Sequence, residues 1–433
     1  MKKYTRTQFI ILGAKAGTAL LLSACGMGTG NKNETTTKEP ADTVAKNKFV
    51  KPTKATFDLV DKNDKRYNVL RQGFNKRIDK YPQAIAICTS TNDVVAAINF
   101  AKEKKWAIAV KSGGHNMEGF SCNDGGMVIN LSEMNKVEII EDTKIKVQPG
   151  CILSKLNDFI LPKERLLPAG SCGTVGLGGL TLGGGYGLFA RKFGLTCDHL
   201  LEATMVDGNG IIRNTKDDAE LLWALKGGGT GNFGVVTEMI FSTQVAPKQL
   251  QAHYFKTRKL DALQATMLLK TWMEIVKELP DSCFSGFVLN GSTLNILITN
   301  YDIANAQLPL QLKKLASVVD NYHSSSVGVL GKMLHNYYGR PGPLYFRNSC
   351  AGFFKDFNDI APFISSIFEK TIHTPGMIYQ VNTLGGKITD LGYEKSSSYP
   401  HRNYDFVSEL QAYWDKPEQE NRATVATTEI LKI

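Results

Sequence analysis

Several signatures that would classify a chain of 433 residues at once are missing from this one. Its eight cysteines, Cys25, Cys88, Cys122, Cys151, Cys172, Cys197, Cys283 and Cys350, never fall into a CxxC pair. That excludes zinc and dithiol-redox signatures, and no metal site is expected. They are also too sparse for a disulfide scaffold, so most are expected as buried packing thiols. No basic block interleaved with aromatics occurs, so nucleic acid is not an expected partner. The apolar run from Phe9 to Leu22 is too short and too interrupted for a comfortable membrane span. What remains is an ordinary globular composition, 42% hydrophobic and 21% charged, with length for two or three domains.

The formal charge is +10; Lys2, Lys3, Arg6 and Lys15 supply four of the positive charges, and without them the chain carries a thinly spread +6. Those four lie in a leader. A positive start, an apolar run and Leu22-Ser23-Ala24-Cys25 predict a secretory signal over 1–25. Its ending resembles the lipobox of bacterial lipoproteins, which implies that Cys25 is lipidated and tethers an exported protein to the membrane. Thr5-Arg6-Thr7-Gln8-Phe9 resembles a twin-arginine export signal with one arginine missing, which leaves the route open. Residues 26–48, rich in Thr, Lys and Asn, read as a flexible tether.

From Asn68 onward strand and helix patterns alternate. Ala84 to Cys88, Trp106 to Val110, Met127 to Leu131 and Lys144 to Val147 read as strands. Thr91-Asn92-Asp93 opens a helix with Val94, Val95, Ile98 and Ala101 on one face. Gly150 to Ile160 reads as a short helix. The centre is Ala169 to Gly187, AGSCGTVGLGGLTLGGGYG, with glycine at nine positions. So dense a run is poor helix and poor strand, yet Val175, Leu177, Leu180 and Leu182 make it too apolar for a linker. It reads as backbone folded closely round a flat or phosphorylated ligand, with Cys172 at its mouth. Lys111-Ser112-Gly113-Gly114-His115 makes a second glycine-bearing turn after a strand. By themselves these residues point to a nucleotide-like cofactor held by two glycine loops, with a nucleophilic His115 and Cys172 nearby.

Gly229-x-Gly231-x-x-Gly234 matches the dinucleotide fingerprint by letters. The fingerprint needs a strand before and a helix after; here a helix over Asp217 to Leu225 precedes and a strand over Val235 to Ser242 follows, so a Rossmann site is rejected. Leu201 to Val206 and Gly210 to Asn214 read as a hairpin. Beyond Val245-Ala246-Pro247 a long helix is expected over Leu260 to Leu279, with Leu260, Leu263, Met267, Thr271 and Ile275 on one face. Cys283 to Asn290 and Leu294 to Asn300 pair as strands, Leu308 to Val319 and Ile360 to Ile372 are helices, and Gly376 to Leu384 and Val407 to Trp414 are strands. That pattern predicts an antiparallel sheet with helices on one side.

The ordered set Lys111 to His115, Ala169 to Gly179, Gly183 to Gly187, Trp223 to Gly229 and Gly231 to Thr237 resembles the berberine-bridge-enzyme-like FAD-linked oxidases of the vanillyl-alcohol-oxidase superfamily. The resemblance runs from about Asn68 to Trp414. It implies an α+β chain: a PCMH-type FAD-binding domain of two α/β subdomains at 49–245, an antiparallel substrate domain at 246–414, and a short or truncated tail at 415–433. It implies FAD held by two covalent bonds, from His115 to the 8α-methyl and from Cys172 to ring carbon 6. It implies cofactor contacts from Ser112, Gly113, Gly114, Asn116, Thr174, Val175, Gly176, Gly178, Gly179, Gly234 and Val236. The 112–116 backbone would face the pyrophosphate and the 173–179 backbone the isoalloxazine. Val175 matches the family's oxygen-gate position and favours an oxidase.

Gln380 and Asn382 share one face of their strand, and Gln411 and Tyr413 share one face of theirs; by resemblance both strands roof the substrate side, where polar groups suit a sugar or other polyol. Two departures stand out. Leu180 replaces a customary histidine, and the family's C-terminal stretch with its usual base has no counterpart in 415–433. Tyr413 is the nearest replacement. The expected activity is therefore FAD-dependent oxidation of a hydroxyl-bearing small molecule, with O2 as acceptor. The alternatives are a dehydrogenase using another acceptor, or a flavin-binding lipoprotein lacking a competent base.

Overall fold

The computed structural model describes residues 56–433. The expected signal, the lipidated Cys25 and the tether lie outside the described residues. Among those described, no helix is long and apolar enough to cross a membrane.

Four strands build the first sheet: β1 (Asp58–Asp61), β2 (Ala84–Ile87), β3 (Ile108–Lys111) and β4 (Met127–Asn130), in the order β1-β2-β4-β3, with β2 and β3 parallel to β4. Helix α1 (Thr91–Glu103) makes the crossover. It starts where expected because Ser90 and Asp93 form a capping box, and it buries the expected Val94, Val95, Ile98 and Ala101. An antiparallel sheet follows: β5 (Val137–Glu141), β6 (Lys144–Val147), β7 (Leu200–Val206), β8 (Ile212–Asn214) and β9 (Val235–Ser242), in the order β5-β6-β9-β7-β8. Between β6 and β7 run α2 (Leu153–Ile160) and the glycine stretch; α3 (Ala219–Leu225) precedes β9. The glycine stretch is not wholly irregular, because Leu177–Leu182 closes into a short helix with Leu177 and Leu180 buried.

The remainder is one antiparallel sheet. Its strands are β10 (Gln249–Thr257), β11 (Cys283–Asn290), β12 (Thr293–Asn300), β13 (Asn321–Ser324), β14 (Tyr345–Phe354), β15 (Met377–Thr383) and β16 (Phe406–Trp414), in the order β13-β10-β12-β11-β15-β16-β14. Helices α4 (Ala262–Lys277), α5 (Leu308–Ala316) and α6 (Ala361–His373) pack on one face in a core with Phe287, Tyr379 and Leu410. The stripe expected on α4 holds only at its ends: Leu260 and Ile275 are buried, but Leu263 and Met267 are 65% and 63% exposed, and Ala265, Leu269, Trp272 and Val276 are buried in their place. The chain offers two apolar stripes here. The buried one carries the indole, which covers most area and donates through Nε1 to Ser285 Oγ at 2.9 Å. Residues 415–433, expected as a tail, contain α7 (Glu420–Ile430), which lies against β16 and β14 and buries Ala423, Thr427 and Ile430.

The other face of that sheet closes on the flavin-type half. Phe284, Val288, Ile378, Leu384 and Val407 share one core with Leu166, Tyr186, Leu188, Phe189 and Leu195. A buried ion pair, Arg402 with Asp198, pins the approach to β16 against the turn before β7. Arg402 also donates to Ser397 Oγ at 2.6 Å.

Within the first half the two glycine loops touch backbone to backbone. A Cβ at Gly113 would lie 2.3 Å from Gly176 N, and a Cβ at Gly176 would lie 2.3 Å from Gly113 N and 2.0 Å from Ser112 Oγ. Each glycine is therefore required by the other. Gly178 is likewise pressed on Pro149, with 2.7 Å from its missing Cβ to Pro149 Cβ, whereas a Cβ at Gly179 would meet nothing within 4 Å.

Two stability contrasts check this packing by urea denaturation. Gly176→Ala is expected to lose about 3 kcal/mol, as overpacking does, and Gly179→Ala to stay within about 0.5 kcal/mol; equal values for the two would contradict the loop contact. Trp272→Ala should lose about 3–5 kcal/mol and Leu263→Ala no more than about 0.5 kcal/mol, the reverse of what the expected stripe requires.

Candidate functional site

His115 leaves the turn after β3 and reaches the glycine stretch. Its Nε2 lies 2.9 Å from Thr174 Oγ1. The ring stacks on Phe74 at 4.2 Å between centroids and 17° between planes. Burial pushes the imidazole down to about 4, so it is neutral at pH 7. Burial pushes the Cys172 thiol up, and the neighbouring Thr174 pulls it part of the way back. Two side chains 57 positions apart are thus both brought to Thr174. The Cys172 turn is itself held: Val175 N–H donates to Cys172 O at 3.1 Å, Leu153 N–H to Val175 O at 3.0 Å, and Gly173 N–H to Tyr338 O at 3.0 Å.

The other expected cofactor residues divide by what they touch. Ser112 Oγ donates to Pro149 O at 2.6 Å. Asn116 Oδ1 accepts from the N–H groups of Glu118 and Phe120 at 3.1 and 3.0 Å, so that side chain serves its own turn. Gly234, at φ +149°, is required by the backbone of Val206, whose O would lie 2.4 Å from a Cβ there. Val175 and Val236 are buried in one core with Cys172. The Gly229 to Gly234 run lies between α3 and β9, the helix-then-strand context that excludes a Rossmann site.

Above this loop pair lies the inward face of β14, β15 and β16. Alternation along β16 presents Val407, Glu409, Gln411 and Tyr413 inward; β15 adds Gln380 and Asn382, and β14 adds Asn348. All of the polar members except Tyr413 are buried. Gln411 Nε2 donates to Glu409 Oε2 at 2.9 Å and to Gln380 Oε1 at 3.1 Å. Gln380 Nε2 donates to Asn382 Oδ1 at 3.0 Å, and Asn348 Nδ2 to Glu409 Oε2 at 2.8 Å. With both Gln411 amide protons engaged, its Oε1 accepts from Tyr413 OH at 3.2 Å. Tyr413 also lies close enough to Cys172 to feel its charge: burial first, then Glu409 and Cys172, pushes the phenol up.

That geometry sets the Tyr413 phenol as a donor to Gln411 Oε1. The phenol is a donor in a buried network beside a carboxyl, and losing its proton there is unfavourable. The titratable group that sequence reasoning missed is Glu409. Burial raises its carboxyl above the ordinary value, while the bonds from Asn348 and Gln411 pull the other way. Its Oε1 has no partner among the described residues. The signal was available, since Glu409 is two positions from Gln411 on the same strand face and is the one acid in Phe406–Trp414.

The residues fit a flavin nucleotide. Among the described residues, the backbone N–H groups of Gly113, Gly114, His115 and Asn116 find no protein acceptor, and Gly114 is in the left-handed region at φ +72°. Such a run of free donors is an anion cradle. Ser171 Oγ, Tyr186 OH, Asn382 Nδ2 and Glu409 Oε1, all buried, also lack partners among the described residues, as expected where a polar ligand supplies them.

Comparison with known proteins agrees. Residues 82–216 match the FAD binding domain family. The chain is 38% identical over 196 residues to the uncharacterized FAD-linked oxidoreductase YgaK of Bacillus subtilis, covering 44% of each chain. It is 39% identical over 182 residues to a chitooligosaccharide oxidase of Gibberella zeae, covering 41% of this chain and 37% of that one. The chain thus spans less than half the length of these curated relatives. Its fold matches that of the Physcomitrella patens BBE-like 1 protein at a TM-score of 0.79 and 20% identity, covering 87% of this chain and 86% of that one. Residues 82–216 thus carry an FAD binding domain, and the chain is similar to berberine-bridge-enzyme-like and other FAD-linked oxidoreductases in sequence and fold.

Proposed function

We propose that this protein oxidises a hydroxyl-bearing carbon of a small molecule, a sugar or oligosaccharide among the candidates, with FAD attached through His115 and Cys172 and O2 as acceptor. The observation that carries this reading is the buried polar strip of Asn348, Gln380, Asn382, Glu409 and Gln411 facing the Cys172 loop. Bound FAD supplies a two-electron acceptor and passes the electrons on to O2. The chain's own work is binding and proton handling. The free N–H groups of 113–116 hold the phosphates. Asn382 Nδ2 offers a donor to a neighbouring hydroxyl of the substrate. Glu409 Oε1 takes the proton of the reacting hydroxyl as its carbon gives up hydride. With two donors on Oε2, Oε1 is the atom left to receive it, and a raised proton affinity suits a base. Tyr413, a donor to Gln411, fixes the amide that orients Glu409. Export and membrane tethering through Cys25 belong to the same proposal and rest on the leader sequence alone.

Anaerobic flavin bleaching by a panel of sugars and oligosaccharides tests the assignment. Glu409→Gln is expected to slow bleaching by about 10²–10⁴-fold, the usual contribution of a general base, and Tyr413→Phe by about tenfold at most, the scale of one lost hydrogen bond. Only ionised Glu409 accepts a proton, so the wild-type rate should rise with pH through its elevated pKa and level off above it. That rise should vanish in Glu409→Gln. Normal bleaching by Glu409→Gln would sink the assignment, and bleaching by no member of the panel would sink the substrate class.

A further inference from the structure

We propose that Thr174 is the positioning residue for flavin attachment: one hydroxyl orients the His115 imidazole and the Cys172 thiol together and decides which atom of each is presented to the ring. The inference rests on the two-tether reading above and adds a residue to it.

The argument is one of donors and acceptors. A threonine hydroxyl has one hydrogen to give and two lone pairs to accept with. Thr174 Oγ1 is 2.9 Å from His115 Nε2, and Cys172, two residues earlier in the same tight turn, lies near enough for its thiol to respond to Thr174. A neutral imidazole carries one N–H and one bare nitrogen. If Nε2–H donates to Oγ1, the hydroxyl hydrogen is free for Cys172 Sγ, and Nδ1 is left bare. The reverse arrangement spends the hydroxyl hydrogen on Nε2, makes the weak S–H group the donor, and leaves Nδ1 protonated and without a lone pair. The first arrangement uses the better donors and presents two nucleophilic atoms at once. Phe74 sets the plane of the imidazole from its other side. The Thr174 backbone has little freedom, since Ser154 N–H donates to Gly173 O at 2.9 Å and Leu153 N–H to Val175 O at 3.0 Å on either side of it.

The chemistry balances with dioxygen as the named oxidant. At each tether one ring or methyl C–H and one N–H or S–H are lost, one C–N or C–S bond forms, and O2 leaves as hydrogen peroxide with the two electrons and two protons. At His115 the departing proton is the one on Nε2; afterwards Thr174 becomes the donor to that nitrogen, a reversal that a hydroxyl permits and a methyl group does not.

The test uses the purified full chain and reads attachment, not turnover. Thr174→Val keeps the shape and removes the hydroxyl; Thr174→Ser keeps the hydroxyl. Acid-precipitated protein is assayed for retained flavin, and peptide mass mapping reports occupancy at His115 and at Cys172. Attachment in Thr174→Val is expected to be about tenfold slower at both positions, the scale of one buried hydrogen bond, with Thr174→Ser close to wild type. Total FAD bound before precipitation, which a merely structural role would lower, should be unchanged. If wild type carries no bonded flavin, the two-tether reading fails and takes this inference with it. If wild type and Thr174→Val are equally bonded at both positions, this inference alone is overturned. Should the valine variant not fold, the comparison passes to Thr174→Ala against Thr174→Ser with the same readouts.

Discussion

The contact between Gly113 and Gly176 is the constraint from which the site follows. Two chain segments meet with no side chain between them, and each would drive a Cβ to within 2.3 Å of a backbone nitrogen on the other. Because the backbones meet, the next residues along each loop are brought together as well. His115 follows one glycine by two positions, and Thr174 precedes the other by two, so their side chains come within hydrogen-bonding distance. An imidazole and a thiol are then brought to the same threonine. Any residue larger than glycine at either contact would separate the loops and, with them, the two reactive groups.

The second half acts as a lid of unusual polarity. A sheet face packed against another layer is normally apolar, and much of this one is, from Phe284 through Ile378 to Val407. A strip across three strands departs from that rule and buries amides and a carboxyl. Burying such groups is costly unless they are bonded to one another, and here they are, through Gln411. The unpaired atoms left over, Glu409 Oε1 and Asn382 Nδ2, face the half that carries His115 and Cys172. Their cost is tolerable if a bound molecule supplies the missing partners.

Much of the architecture was legible in the chain. Helix α1 begins at its capping box, β9 spans Val235–Ser242 as read, and the hairpin of β11 and β12 turns where expected, because each is set by local periodicity and turn chemistry. Reading α4 failed between its ends because two apolar stripes compete, and only packing against Ser285 and Phe287 selects the one with Trp272. The strand β14 and the helix α7 went unread for a related reason: both are held by β16, a partner distant in sequence for β14 and known as a docking face only once the sheet is assembled.

At the site, the amino-acid sequence alone determined the residue types and their order: two glycine loops, a histidine in one, a cysteine in the other, and alternating polar residues on two later strands. These are local facts, carried by spacing. Tertiary structure alone decided the roles. It made Gly113 and Gly176 necessary to each other, committed Asn116 to its own turn, turned Tyr413 into a donor, and left Glu409 with an open oxygen. Each of those outcomes depends on which atoms meet across more than twenty residues of intervening chain or on how many partners an atom already has, and neither quantity exists until the backbone closes.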